Sequence, residues 1–166
     1  ITPAQALAAG WLLLALGVLI GLALVSLVGL VILWIGMFGV AVGILYTWGP
    51  YPLKFNALGD AAVFVNFGLL GALGAWVVQT GEFSWIPVLW SIPMSLLVVG
   101  ILHANNWRDI QSDTGGGIRT MASLLGDKKS EYYYTMLLLV PYAAIVLFIF
   151  LPRVAAPGPA MPLTFL

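Results

Sequence analysis

The first 53 residues of the chain contain no charged side chain, and the first charge of any kind is that of Lys54. This run is long enough for two membrane crossings of about 20 residues each. The whole chain has 62% hydrophobic residues, six basic residues and six acidic residues. A soluble globular protein would carry far more charge. The sequence therefore predicts an integral membrane protein whose fold class is all-α, a multi-pass transmembrane helix bundle.

Apolar runs bounded by Gly, Pro and charged residues predict five helices in a single domain over residues 1–166. The predicted helices are Ala6–Leu24, Val28–Tyr46, Ala61–Gln79, Pro87–Ala104 and Tyr132–Leu151. No polar residue clearly divides the first two, so one very long helix is an alternative to a tight hairpin near residues 23–27. The lengths of the two runs favour the hairpin.

The number of crossings predicts which loops share a face of the membrane. Residues 48–59 and residues 105–131 are separated by two crossings, so both loops should lie on one side. Five of the six basic residues fall in these loops: Lys54, Arg108, Arg119, Lys128 and Lys129. Only Arg153 falls on the opposite side, and the positive-inside rule then predicts a cytoplasmic location for the two loops of a protein in the cell (inner) membrane.

Composition also excludes some functions. The formal net charge is zero, so no basic field is available to bind nucleic acid. The chain has no cysteine, which excludes disulfides, thiolate metal sites and cysteine nucleophiles. Transporters and channels typically carry ionisable residues deep within their apolar runs, and this sequence has none there, which argues against transport.

Oxygen ligands are concentrated in the second of these loops. Asp109 and Asp113 are four residues apart, and a helix that continued past Ala104 would present both on one face, with Asn105 and Asn106 one turn earlier. Carboxylate and amide oxygens are hard ligands that favour Mg²⁺ or Ca²⁺ over zinc or copper. Mg²⁺ commonly completes its shell with water and substrate phosphate, so this pattern indicates a metal-diphosphate site.

Cations accompany these acids. Arg108 and Arg119 could bind phosphate oxygens, and Lys54 is brought to the same face by the number of crossings. An ordinary solvated loop whose charges set the topology is the alternative to a binding site. His103 is predicted to be an interfacial residue rather than a base, and Asp60 is a possible partner of Lys54.

Two blocks of sequence resemble the UbiA superfamily of intramembrane aromatic prenyltransferases, in particular its MenA-like branch. The first block is YTWGPYPLKFNALGD, residues 46–60. The second is NNWRDIQSDTGGGIRTMASLLG, residues 105–126, which is similar to the second aspartate-rich motif of that branch. The resemblance implies a bundle of nine helices with two aspartate-rich loops at its cytoplasmic mouth. Only about five helices and no first motif are present here, so we expect a chain truncated at both ends.

The resemblance also implies roles for individual residues. Asn105, Asp109 and Asp113 would bind Mg²⁺ bridging a polyprenyl diphosphate, with Asn106 adjacent in the same block. Asp109 and Asp113 would thereby serve catalysis.

The remaining implied roles concern charge and contact with the substrate. Lys54 and Arg108 would neutralise the diphosphate, and Arg119 is a further possible phosphate contact. Tyr46 and Thr47 would lie near the reacting carbon or the diphosphate.

The activity implied by the branch is Mg²⁺-dependent transfer of a polyprenyl group to 1,4-dihydroxy-2-naphthoate in menaquinone biosynthesis. Two alternatives stay open. One is a UbiA-type enzyme with another aromatic acceptor, such as 4-hydroxybenzoate, homogentisate, a chlorophyllide or haem. The other is a membrane subunit without catalytic activity. We expect the five-helix chain alone to be inactive.

Overall fold

The computed structural model describes residues 2–150, and five of its helices are long and apolar enough to cross a membrane. The transmembrane helices are α1 (Pro3–Val28), α2 (Leu30–Thr47), α3 (Gly59–Thr80), α4 (Ile86–Arg108) and α6 (Met121–Phe150). A short helix, α5 (Ile110–Gly115), lies between α4 and α6, and a 3-10 helix (Leu53–Phe55) lies between α2 and α3. The predicted all-α multi-pass fold is confirmed. Arg153 and the C-terminal end of the last predicted helix lie outside the described residues.

The first two helices form the predicted hairpin rather than one long helix. Gly29 alone separates them, with a φ of 114° that residues with a side chain rarely adopt. Trp11 near the start of α1 packs edge-to-face against Trp48 just after α2, with ring centroids 6.4 Å apart. The turn falls at Gly29, a few residues later than predicted, because glycine is the residue that tolerates this backbone conformation.

Most apolar side chains of the bundle are exposed on its surface, as expected for helices that face lipid. In α1, every residue of which is described, none is buried. The largest buried apolar cluster joins α2 and α3 through Ile32, Leu73 and Val77. Association of such helices depends on close packing, because lipid is as apolar as the helices themselves.

Helices α3 and α4 approach each other closely at Gly68. Residues 64–70 of α3 form a π-helical turn, and within it the Cα of Gly68 faces Ser95 of α4 with no room for a Cβ atom. Helix α4 also packs along α6, where Trp90 contacts Phe148 and Trp107 contacts Tyr134. These contacts place side by side the ends of α3, α4 and α6 that border the two charged loops.

The last transmembrane helix begins earlier than predicted, at Met121 rather than at Tyr132. It is broken at Gly126, which has a φ of 70° and a ψ of 175°. Thr120 caps the first segment, its hydroxyl accepting a hydrogen bond from the Ser123 N–H at 3.1 Å. This first segment starts beside the charged loop, so it helps to build the candidate site.

Candidate diphosphate and metal site

The two sequence blocks meet at one end of the bundle and are joined by backbone hydrogen bonds. The Ala57 N–H donates to the Arg119 carbonyl at 2.6 Å, and the Arg119 N–H donates to the Phe55 carbonyl at 3.2 Å. These bonds form a parallel bridge between Asn56 and Arg119. The two loops therefore share a face, as the number of crossings predicted.

A cavity of about 150 Å³ lies between the two blocks. Its lining residues are Tyr46, Lys54, Phe55, Gly59, Asp60, Asn106, Asp113, Ile118, Thr120 and Met121. Four of these were predicted as site residues: Tyr46, Lys54, Asn106 and Asp113. The cavity thus combines an ammonium group with carboxylate, amide and hydroxyl oxygens, which can serve a hydrated metal ion and a phosphate together.

Asp113 reaches this cavity because the helix breaks just before it. The placement of Asp109 and Asp113 on one face supposed a helix that continues past Ala104 through both residues. Helix α4 does continue past Ala104, but it ends at Arg108, and Asp109 has non-helical angles, φ −99° and ψ 11°. Chain direction changes there, and α5 then carries Asp113. Gly117, with a φ of 72°, completes the turn, and the Ile118 N–H donates to the Asp113 carbonyl at 2.8 Å. Asp109 does not line the cavity with Asp113.

Asp109 is instead paired with its neighbour Arg108. The Arg108 Nε and Nη2 donate to the two carboxylate oxygens of Asp109, both at 2.8 Å. These hydrogen bonds from Arg108 hold the pKa of Asp109 below its usual value. Because the Arg108 side chain is 71% exposed and that of Asp109 is 42% exposed, solvent screens the pair strongly. In this conformation Arg108 and Asp109 are each other's hydrogen-bond partners.

Lys54 lines the cavity, with its ammonium nitrogen 4.6 Å from the centroid of the Phe55 ring. The possible pairing of Lys54 with Asp60 is wrong. Asp60 is buried and turned towards His103, whose Nδ1 lies 3.4 Å from Asp60 Oδ2. Among residues 2–150, Lys54 forms no ion pair, which leaves its charge available to an anion in the cavity.

The other predicted site residues lie around the cavity rather than in its lining. Asn105, Thr47 and the Arg119 side chain are exposed, and Arg119 contributes to the site through its backbone bridge. Thr47 is the last residue of α2. The structure therefore brings Asn106 into the cavity in place of its neighbour Asn105.

The oxygen donors of the cavity fit a Mg²⁺ ion that keeps water and phosphate in its shell. Asp113 supplies a carboxylate and Asn106 an amide oxygen, and both are hard ligands. Across the described part of the chain, no three His, Cys, Asp or Glu side chains form a metal-binding group. A metal here would therefore depend on substrate oxygens to complete its coordination.

Sequence reasoning missed the buried contact between Asp60 and His103. Its signal was present, because Asp60 stands at the start of one apolar run and His103 near the end of the next. Antiparallel helices bring such positions to the same depth. Two ionisable residues at matching depths of neighbouring spans are candidates for a pair.

Comparison with known proteins identifies the family. The model of the UbiA prenyltransferase family matches residues 1–166, the entire chain. The chain belongs to the UbiA prenyltransferase family. This agrees with the family predicted from the two sequence blocks, and the membership assigns prenyl transfer as the chemistry of the family.

Relatives of this UbiA chain include several proteins named UbiA prenyltransferase domain-containing protein 1. The Danio rerio protein is 43% identical over 104 residues, which are 63% of this chain and 31% of the relative. The Dictyostelium discoideum protein is 41% identical over 111 residues, 67% of this chain and 34% of the relative. The Homo sapiens protein is 39% identical over 104 residues, 63% of this chain and 30% of the relative. The matched part of the UbiA chain spans about a third of these relatives.

These names do not specify the naphthoate branch that the sequence motifs suggested. They support the UbiA family and leave the acceptor open. The UbiA chain is an integral membrane protein by its five apolar helices and its family.

Proposed function

We propose that this chain is part of a longer protein, called the parent protein below. We propose further that the parent protein transfers a polyprenyl group from a prenyl diphosphate to 1,4-dihydroxy-2-naphthoate, in a Mg²⁺-dependent reaction of menaquinone biosynthesis. The observation that carries the proposal is the convergence of Lys54, Asn106 and Asp113 on one cavity from two separate sequence blocks. We propose that the protein lies in the cell (inner) membrane with this end of the bundle facing the cytoplasm. The basic residues that support this orientation are Lys54, Arg108, Arg119, Lys128 and Lys129.

In the proposed reaction, the allylic C–O bond breaks and its electron pair leaves with the diphosphate. The electron-rich naphthoate ring then attacks the allylic carbon and loses its carboxylate as carbon dioxide. Lys54 binds the departing diphosphate and stabilises its charge, which grows as the bond breaks. Bound Mg²⁺ would supply further charge stabilisation, held by Asp113 and Asn106.

Arg108 and Asp109 can join the site from their present positions at its edge. A solvent-accessible pair holds each partner weakly, so an incoming metal or diphosphate can compete for both side chains. Asp109 would then contribute a second carboxylate, with Asn105 beside it, and Arg108 would be free to bind phosphate oxygens. Tyr46 lines the cavity where the reacting carbon would lie, with Thr47 and Arg119 at the rim.

Water would quench an allylic cation, so the proposed reaction requires a site from which water is excluded. The exposed apolar faces of the helices admit a long isoprenoid tail directly from lipid.

The test uses membranes containing the full-length parent protein, a labelled polyprenyl diphosphate, Mg²⁺ and 1,4-dihydroxy-2-naphthoate. We expect label in a prenylated naphthalene product only with Mg²⁺, and at least a hundred-fold lower rate for Asp113→Asn and Lys54→Met, since electrostatic groups at such centres contribute on the order of 10²–10³. Glu82→Gln is the matched control, because Glu82 is an exposed acid at the opposite end of the bundle.

The acceptor is tested in the same assay by replacing the naphthoate. Label that moves only to 4-hydroxybenzoate, homogentisate, a chlorophyllide or haem would support the site and contradict the naphthoate assignment. Absence of transfer to every acceptor would contradict the enzymatic proposal and favour a non-catalytic membrane subunit.

A further inference from the structure

Asp60 and His103 form a buried contact between two membrane-spanning helices. Asp60 of α3 is 4% exposed and His103 of α4 is 0% exposed. The 3.4 Å between Oδ2 and Nδ1 is an electrostatic contact without the alignment of a hydrogen bond, and the Asp60 carboxylate also interacts with the Tyr133 hydroxyl. Buried polar groups are normally hydrogen-bonded, and ionisable groups within spans are costly. Packing alone therefore does not explain why two ionisable side chains are buried here.

A third helix closes over the pair. The ring of Tyr133 in α6 packs edge-to-face on the His103 ring, with centroids 4.6 Å apart and an interplanar angle of 83°. Asp60, His103 and Tyr133 thus join α3, α4 and α6 at one depth. Polar side-chain contacts between helices, together with close packing, stabilise one arrangement of the helices in lipid.

The pair lies directly behind the cavity. Asp60 contributes to the cavity lining and follows Lys54 closely in sequence, separated from it by the end of the 3-10 helix and a short turn. His103 is one helical turn before Asn106, which also lines the cavity. Because Asn106 enters the cavity from α4, a rotation of α4 about its axis would turn Asn106 away from the cavity that Lys54 also lines.

We propose that Asp60 and His103 are positioning residues for the diphosphate site, setting the rotation of α4 against the loop that carries Lys54. The backbone bridge between Asn56 and Arg119 joins the two blocks directly, and the buried Asp60–His103 pair joins the first block to α4 just before the second block begins. This inference rests on the proposed function, since it concerns the site that would bind the diphosphate.

The test measures binding rather than turnover. The full-length parent protein in lipid nanodiscs is titrated with geranylgeranyl thiolodiphosphate, whose C–S bond resists ionisation, with and without Mg²⁺. Asp60→Asn and His103→Gln should each weaken Mg²⁺-dependent binding by on the order of ten-fold, as loss of supporting residues around metal sites does. The affinity of the double variant should be no lower than that of the single variant with the lower affinity, because both substitutions remove the same contact.

Two results would overturn the proposal. Effects that multiply in the double variant would mean that Asp60 and His103 act separately, as they would if Asp60 were itself a metal ligand. Val99→Ala provides the second comparison, because Val99 is a 2% exposed apolar residue one turn before His103 on the same helix. If Val99→Ala weakened binding of the analogue as much as His103→Gln does, with the same loss of thermal stability, the weaker binding would be explained by general destabilisation.

A distance measurement tests the same inference without any ligand. Spin labels at exposed Tyr51 and Gln111 report the separation of the two blocks, and the 166 residues contain no native cysteine to interfere. His103→Gln should broaden the distance distribution, and an unchanged distribution would overturn the positioning role. If the unmodified parent protein binds no diphosphate analogue, the proposed function fails and this measurement still decides whether the pair positions the two blocks.

Discussion

Replacement of Gly68 by alanine tests whether α3 and α4 are as close as the structure shows. A Cβ atom at Gly68 would lie 1.9 Å from Ser95 Oγ, 2.4 Å from Ser95 Cβ and 3.2 Å from Ser95 Cα. A change of rotamer could move the hydroxyl, but it could not move the Cβ and Cα atoms. The contact between the two Cβ atoms must lengthen to about 3.4 Å, so the helices must separate by about 1 Å.

This separation should destabilise the protein by about 1–3 kcal/mol, the usual cost of inserting a methyl group into a well-packed contact. The free energy of unfolding is measured by reversible denaturation of the full-length parent protein in mixed micelles. Ser95→Gly should recover part of the loss in the Gly68→Ala background, because it removes the two nearest atoms.

Gly74→Ala is the matched control on the same helix. Its Cβ atom would meet only Ile35 Cγ2, at an ordinary contact distance of 3.7 Å, and alanine favours helix by up to about 1 kcal/mol over glycine. Gly74→Ala should therefore be neutral or stabilising. Equal stability of Gly68→Ala and Gly74→Ala would refute the close approach of α3 and α4.

Three further predictions concern the site and the chain. Because hydrogen bonds from Arg108 lower the pKa of Asp109, Arg108→Met should raise that pKa towards its ordinary value, which carboxyl ¹³C NMR of labelled aspartate would detect. Because the pKa of Asp109 is lowered in the folded state, the pair contributes fully to stability at pH values above the ordinary pKa of aspartate. Its contribution is lost as the pH falls through the lowered pKa, and loss of this contribution on raising the pH would contradict the prediction. Lys54→Arg should retain much more Mg²⁺-dependent binding of the thiolodiphosphate than Lys54→Met, and equal binding by both variants would show that the charge of Lys54 is not used. Residues 1–166 expressed alone should show no prenyl transfer, and detectable product in a purified sample would show that the first aspartate-rich motif is dispensable.

The membrane-spanning helices were predictable because hydropathy is a local property. An uncharged run must satisfy its backbone hydrogen bonds internally once it is in lipid, and helix is the simplest way for it to do so. The positions of α1 to α4 follow from such runs. The start of α6 was not predictable in this way, because its first turns, from Met121 to Gly126, lie among charged residues and depend on the Thr120 cap and the break at Gly126.

The candidate site was predicted in its composition and only partly in its geometry. Lys54, Asn106 and Asp113 line the cavity as their blocks suggested, whereas Asp109 pairs with Arg108 at its edge. The prediction assumed a continuous helix through Asp109. The break at that residue gives its two neighbouring helices different directions, and residue spacing alone does not reveal such a break.

The sequence by itself determined that this chain is a helical membrane protein with charges gathered at one end, because apolar length and charge placement act locally along each run. Only the tertiary structure decided which of the polar residues face one another. The contact of Asp60 with His103, and the entry of Asp113 into the cavity, depend on helix rotation and on backbone turns. Rotation is set by contacts between helices that are distant in sequence, such as Gly68 against Ser95, and these contacts exist only once the bundle has assembled.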